Sequence, residues 1–352
     1  MRNLTPPLEW AGDHIRIIDQ TLLPEQVDII EVRSAAAAVD AINRLAIRGA
    51  PALGAFGALA LVVGLDEHAP STLREAATAL EQLRTFIGDA RPTAVNLRWA
   101  VDRVIDHALS SSETLDDVRS ALLMEAHRVA EEDAAACREI GRLGHELLRN
   151  ATTIGTHCNA GRLATAGIGT ALAPMYAKAE AGEPLRVLAS ETRPLLQGAR
   201  LTAWELHDAG IDVTVLPDAA MASTVLSGQV DAYIVGADRI AANGDTANKI
   251  GTVAHALAAR EAAIPFYVAA PTSTIDPALP SGVQIEIEQR DAIEVHEVRG
   301  KRVTPEGVAI TNPAFDVTPE RLITAIITEV GVLRAPFQDS IADALLRVGA
   351  SQ

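Results

Sequence analysis

The sequence predicts an α/β fold. A Rossmann-like, doubly wound parallel sheet forms the C-terminal part, after a smaller, mainly helical N-terminal domain that carries a short β-meander. Three observations predict this. From residue 151 onward, short apolar strands alternate with helices across short loops, the pattern of a parallel sheet with right-handed crossovers. Before that point, long charged helical stretches dominate. The chain has 352 residues and is 48% hydrophobic, enough for one large or two ordinary domains. No glycine- or serine-rich linker marks a joint, so the charged helix ending near residue 149 marks the expected boundary: 1–149 mainly helical domain with short strands, 150–352 Rossmann-like α/β domain.

In chain order, Leu8-Glu9-Trp10, Ile15–Ile18 and Ile29–Val32 read as short strands separated by Gly12-Asp13 and Leu23-Pro24. An alanine-rich helix starts at Ser34. Ile47-Arg48-Gly49-Ala50-Pro51 then combines an arginine, a glycine that lets backbone approach a ligand, and a proline suited to open a helix. Arg48 there suits phosphate; it equally fits a solvated arginine at a helix–helix turn. The apolar run Ala50–Leu65 is broken by glycines and too short to span a bilayer. Residues 71–88 and 114–149 read as amphipathic helices. Between them Arg91, just before Pro92 in a loop entering a further helix, is a second candidate anion binder.

The second half predicts strands at Thr152–Thr156, Leu185–Ala189, Asp212–Leu216, Ala232–Val235 and Pro265–Ala270. Helices are expected from the small-residue stretch after Gly161 to about Lys178, and over Pro194–Ala209, Ala219–Leu226 and Thr246–Ala263, the last with Thr246 as N-cap. Val283–Ile287 alternates like a strand, Pro319–Val330 reads as a helix, and the tail after Ala335 as a short amphipathic helix.

Polar residues gather at the carboxyl ends of these strands, where open α/β sheets bind ligands. Cys158 follows the first, Gln197 lies in the first turn after the second, and Asp238 follows the central one. Asn248 and Lys249 fall in the first turn of the expected helix from Thr246, where N–H groups and dipole favour an anion. Asp238 also reads as an ordinary loop or capping residue. Cys158 reads either as a small buried hydrophobe or as a thiol activated at a helix start near cations. His157 cannot easily be its base, since adjacent side chains on an extended chain point apart.

Composition excludes several classes. The net charge of −16 argues against sequence-independent nucleic-acid binding. Neither Cys137 nor Cys158 sits in a C-x-x-C pair, and the nine histidines form no H-E-x-x-H, so no metal site and no metal cofactor is read. No G-x-G-x-x-G follows a strand and no P-loop is present; Gly167-Ile168-Gly169-Thr170 falls in an expected helix, where small residues allow close packing. MRNLTPPLEW lacks the apolar core of a secretory leader, and a reducing cytoplasm is expected.

Taken together, Ile47–Gly54, Arg91–Leu97, THCNAG (Thr156–Gly161), ETRPLLQGARLTAWEL (Glu191–Leu206), Val235–Thr252 with GADRIAANGDTANKIGT, and Asn312–Thr318 resemble the methylthioribose-1-phosphate isomerases of methionine salvage. Their superfamily also holds regulatory subunits of a translation-initiation exchange factor. The segment Asp218–Thr224 and the tail depart from the family's usual text. The resemblance implies conversion of 5-methylthioribose 1-phosphate to 5-methylthioribulose 1-phosphate by a cytoplasmic homodimer, with no cofactor. Asp238 matches the proton donor, which must hold its proton near neutral pH, as an apolar surrounding would make it do. Cys158 matches the residue that stabilises the transition state. Arg48, Gly49, Ala50, Arg91, Gln197, Asn248 and Lys249 match substrate-binding positions. Two other readings stand beside it: an isomerase of a related sugar 1-phosphate (5-deoxyribose 1-phosphate or ribose 1,5-bisphosphate), and a non-catalytic regulatory relative.

Overall fold

A computed structural model describes residues 6–91 and 95–351; the N-terminal Met1–Thr5 and the Pro92–Ala94 part of the expected arginine loop lie outside the described residues. The chain divides into two compact units. The first holds the residues up to Arg138 together with Gly161–Gly169, and the second holds Glu139–Ala160 and the residues from Thr170 on. The units thus divide within the long charged helix rather than at its end, and one short stretch of the second half returns to the first unit.

In the first unit, β1 (Leu8–Trp10), β2 (Ile15–Ile18) and β3 (Ile29–Val32) form the predicted antiparallel meander, with Leu8 opposite Ile17 and Ile15 opposite Val32. Ser34 caps α1 (Ala35–Asn43), its hydroxyl accepting from Ala37 N–H. Then follow α2 (Ala50–His68), α3 (Leu73–Gly88), α4 (Val95–Ser111) and α5 (Leu115–Leu147). The helix α2 packs against α1, α3 and α4 and is apolar all round, as a helix enclosed on every side should be. It is long and apolar enough to cross a membrane, yet 83% of its apolar window is buried within the protein.

The second unit continues from α5 through β4 (Thr153–Thr156), α6 (Ala173–Glu180), β5 (Arg186–Ser190), α7 (Ala203–Asp208), β6 (Asp212–Leu216), α8 (Asp218–Leu226), β7 (Ala232–Val235), β8 (Arg239–Ala241), β9 (Thr246–Lys249), α9 (Thr252–Glu261) and β10 (Phe266–Ala269). It ends with β11 (Ile275–Asp276), α10 (Ile293–His296), β12 (Glu297–Val298), β13 (Lys301–Arg302), β14 (Phe315–Thr318), β15 (Ala325–Thr328), β16 (Gly331–Leu333) and α11 (Phe337–Ser351). The main sheet has seven strands in the order β16-β15-β10-β7-β4-β5-β6, parallel except for the β16 edge. This is the predicted doubly wound sheet. The chain runs β4, β5, β6 to one side, then crosses back to place β7 on the other side of β4. That reversal is a topological switch point, where such sheets bind ligands.

Four expected elements differ. In a second sheet, β11-β8-β9-β14, the strands β8 and β9 occupy what the sequence predicts as a loop and the start of a helix. The helix from Thr246 begins only at Thr252, because Asn243-Gly244 closes a hairpin: Gly244 takes a positive φ of 92°, and Gly244 N–H and Ala241 N–H bond back across the turn. Thr246–Lys249 is then paired on both sides, by β8 and by β14. After Gly161 a short 3₁₀ turn (Arg162–Ala164) and a loop precede α6, where a long helix is expected. Val283–Ile287 forms a turn at Gly282–Gln284 instead of a strand. Pro319–Val330 is a turn followed by β15: Ala325-Ile326-Ile327-Thr328 is fully buried beside β10, and β-branched side chains there suit a buried strand.

The β4–β7 pair requires one glycine. A Cβ on Gly155 would stand 2.4 Å from the ring of the fully buried Tyr233, its register partner. Gly155→Ala is therefore expected to lose about 1–3 kcal/mol of stability by overpacking, read as a lower thermal midpoint; an unchanged midpoint would mean the ring moves aside without cost.

Candidate active site

Cys158 and Asp238 leave the carboxyl ends of two neighbouring strands. β4 and β7 pair in parallel with Gly155 opposite Tyr233, and the two residues follow closely after the ends at Thr156 and Val235. Adjacent strands lie about 4.8 Å apart, so both loops rise from one spot on the sheet. They also touch: a Cβ on Gly236 would stand 2.8 Å from Ala160 Cβ. The small residue that ends β7 lets the acid-bearing loop close onto the thiol-bearing one.

Both backbone groups of Cys158 are hydrogen-bonded to side chains. Cys158 has φ 60° and is partly exposed. Its N–H donates to Thr192 Oγ1 at 2.9 Å, and its carbonyl accepts from Thr202 Oγ1 at 2.6 Å. The next residue, Asn159, donates its amide to the carboxylate of fully buried Glu205, which also accepts from Tyr176 OH at 2.9 Å. The thiol therefore does not sit at a helix start, as one sequence reading had it, but on a left-handed turn. Two more non-glycine residues in the same region share that backbone state, Thr192 at φ 69° and Leu196 at φ 58°.

Asp238 is half-buried, and its N–H donates to Ala247 O at 2.9 Å, tying it to β9. Gln197 is 6% exposed, and its Oε1 has no protein partner. A buried acceptor left unbonded costs about 1–3 kcal/mol, which a ligand hydroxyl would remove. Asn248 and Lys249 are buried in β9, not in the first turn of a helix. Asn248 donates to Thr252 Oγ1 at 3.0 Å; Lys249 Nζ donates to Ala314 O at 2.8 Å and stands 4.6 Å from the centre of the Phe315 ring. The anion expected at the following helix start is already supplied by the protein. Asp316 on β14 accepts from Gly251 N–H at 2.8 Å and Val253 N–H at 3.2 Å, and burial pushes its carboxyl up to about 6.

The other candidates belong to the first unit. Gly49, at φ 98°, starts α2, and a Cβ there would stand 2.4 Å from Ala164 O, so only glycine fits. Arg48 and Ala50 flank it. Arg91 lies shortly before α4, and the starts of α2 and α4 are neighbours, since a Cβ on Gly54 would lie 3.1 Å from Asn96 O.

Sequence reading passed over a buried polar cluster beneath the Cys158 turn. His157 Nε2 lies 2.8 Å from Ile250 O, and its Nδ1 lies 3.2 Å from His255 Nε2. His255 Nε2 is also 3.2 Å from Ser190 Oγ, which reaches Tyr233 OH at 3.2 Å. Burial pulls His157 down from 6.5 to about 4, and burial followed by the neighbouring His157 pulls His255 down to about 3. The only signals in the sequence are a histidine beside Cys158 and a lone histidine in a helix.

These shifts set a pH dependence. Each histidine stays neutral when folded but binds a proton near 6.5 when unfolded, so its contribution is present above that value and lost as pH falls toward about 4. Asp316 has the opposite sign: its raised value of about 6 favours the folded state below 3.8 and loses that contribution as pH rises through 6. Two groups outweigh one, so the thermal midpoint is expected to drop between about pH 6.5 and about pH 4.5, with a shallower drop in His255→Leu. A flat profile would mean that the pair takes up protons in the folded state.

The Initiation factor 2 subunit family matches residues 46–335. The chain is similar to the 5-deoxyribose 1-phosphate isomerase of Moorella thermoacetica, at 50% identity over 96% of this chain and 97% of that one. Among solved structures it is similar to 5-methylthioribose 1-phosphate isomerase from Pyrococcus horikoshii OT3, with TM-score 0.91 and 39% identity over 98% and 97% of the two chains. It is also similar to the translation initiation factor eIF-2B subunit delta from A. fulgidus, with TM-score 0.87 and 41% identity over 97% and 100%.

Proposed function

The chain belongs to the initiation factor 2 subunit family, and we propose that within it the chain converts 5-methylthioribose 1-phosphate to 5-methylthioribulose 1-phosphate in methionine salvage. Similarity to isomerases of two such substrates makes it a sugar-phosphate isomerase. The observation that carries the reading is the exit of Cys158 and Asp238 from adjacent strand ends at the switch point. A merely structural scaffold has no need of an acid and a thiol there.

The substrate explains the pair. A sugar phosphorylated on its anomeric carbon cannot open its ring as a free sugar does, so the ring oxygen must be protonated as it leaves. Asp238 is the proposed donor. Hydrogen then moves from C2 to C1 while the C2 hydroxyl gives up its proton and becomes the ketone, and Cys158 is the proposed group that stabilises the charge developing in that step. Gln197 Oε1 supplies an unused acceptor for a sugar hydroxyl. The cationic Lys249 with Asn248, and Arg48 and Arg91 with the Gly49-Ala50 backbone, are the proposed substrate-binding groups.

Asp238→Asn is expected to lower kcat by about 10²–10⁴-fold, the usual worth of a positioned general acid, with KM little changed. Cys158→Ser is expected to lower kcat strongly while the protein stays folded. Wild-type turnover in either variant removes that residue from the mechanism.

A second substrate has its own support in the similarity to a 5-deoxyribose 1-phosphate isomerase. Both substrates carry an apolar group at C5, and a pocket that holds methylthio also admits the smaller methyl at a cost of about 1–3 kcal/mol per missing group. Side-by-side kcat/KM for the two, with ribose 1,5-bisphosphate as third, is expected to favour methylthioribose 1-phosphate and to reject the bisphosphate. A higher kcat/KM for 5-deoxyribose 1-phosphate would transfer the assignment to that substrate.

A further inference from the structure

His157 and His255 lie outside the chemistry proposed above, yet both are 2% exposed and occupy the space directly beneath the Cys158 turn. Their hydrogen bonds fix where the protons sit. Ile250 O can only accept, so His157 Nε2 carries the hydrogen at 2.8 Å, and Nδ1 of the neutral ring is an acceptor. His255 Nε2, 3.2 Å away, is then the donor into it. Below it, Tyr233 OH donates to Thr156 O at 3.1 Å and lies 3.2 Å from Ser190 Oγ. The network therefore ends on two backbone carbonyls: Thr156, the last residue of β4, and Ile250, the residue after β9.

We infer that His157 and His255 are a neutral positioning pair for the isomerisation proposed above, locking the Cys158 turn to the β9–α9 turn and so fixing the thiol relative to Asn248 and Lys249. Three contacts carry this. His157 is adjacent to Cys158 and bonds the carbonyl adjacent to Lys249. The His157 ring packs on Gly251, where a Cβ would come within 3.2 Å of Cε1 and Nε2. Thr192 Oγ1, which accepts the Cys158 N–H, lies 3.4 Å from His157 Nδ1. The ring thus braces the thiol turn from two sides. Only a neutral pair can do so, since a second proton would set N–H against N–H between the rings.

The charged groups facing the pair are Asp218, whose Oδ1 is 4.0 Å from His157 Nδ1, and Lys249. Asp218 is committed to the backbone: it accepts from Thr192 N–H at 2.8 Å and Arg193 N–H at 2.7 Å. Among the described residues, His157, Asp218 and His255 are the one group close enough to hold a metal ion. Here His157 Nδ1, His255 Nε2 and the Asp218 carboxylate oxygens are engaged in the hydrogen bonds just described.

The test reads Cys158 directly, beside turnover. Cys137 is fully buried, so alkylation by iodoacetamide, followed by peptide mass spectrometry, reports on Cys158. His255→Leu is expected to change the alkylation rate several-fold. It should also lower kcat by about 10- to 100-fold, the cost of a misplaced catalytic group, with KM moved less than about twofold. His255→Gln, which restores a donor to His157, is expected to recover both. A folded His255→Leu protein with wild-type alkylation and kcat overturns the inference. If His255→Leu does not fold, His157→Gln takes its place, keeping the donor to Ile250 but losing the second ring nitrogen; the same shifts support the pair, and their absence overturns it. A wild-type protein inactive on every sugar 1-phosphate would sink the functional reading, while the alkylation comparison would still decide the positioning role.

Discussion

The parallel pairing of β4 with β7 is the constraint on which the rest of the site depends. It is made where the strand order reverses, so the loops that leave these two strands have no crossover helix between them. Its closeness is bought with small residues: Gly155 beneath the Tyr233 ring, and Gly236 against Ala160. A larger side chain at either place would separate the strands or their loops. The strand ends from which the Cys158 and Asp238 loops leave are therefore fixed in the sheet.

Beneath those loops, three buried or half-buried carboxylates are engaged by the protein's own donors. Glu205 takes up Asn159 and Tyr176, Asp316 takes up the first N–H groups of α9, and Asp218 takes up Thr192 and Arg193. In a low-dielectric interior such bonds are stiff, because breaking one strands a desolvated group. A chain of net charge −16 also repels anionic ligands at long range. Binding of a phosphosugar must then rest on local, preformed donors and cations rather than on steering. Gln197 Oε1 and, in the histidine cluster, His255 Nδ1 are among the buried atoms for which the protein supplies no hydrogen-bond partner.

Much of this was legible in the sequence, for physical reasons that also explain the misses. The meander, α1 with its Ser34 cap, the strands β6 and β7 and the tail helix all carry strong local signals that tertiary context does not overturn. The strand ends carrying Cys158 and Asp238 were readable because loop polarity contrasts with buried strands. At Asn243 two signals compete: Asn-Gly closes a hairpin, while the residues after it suit a helix start; the hairpin wins, so Asn248 and Lys249 lie in a strand and not in a helical turn. At Ala325–Thr328 helical patterning was preferred over the β-branched composition that decides a buried strand. The histidine pair was invisible because its members are distant in sequence and meet only once β4 and α9 are packed.

The fold by itself does not separate an isomerase from a translation-initiation-factor subunit, since the chain is similar to structures named for each. The backbone around the thiol does bear on the choice. Cys158, Thr192 and Leu196 all hold left-handed conformations that glycine would adopt freely, and Thr192 is β-branched, the residue class that resists it most. Each such residue costs about 1–3 kcal/mol. Glycine at Cys158 would relieve strain but remove the thiol; glycine at Thr192 would remove the hydroxyl that receives the Cys158 N–H and faces His157. Four further non-glycine residues hold a positive φ elsewhere in the described chain (Leu45, Ala69, Ala263 and Arg299), so such strain is not confined to this region; at Cys158 and Thr192 it is kept where glycine would remove a side chain that the proposed mechanism uses.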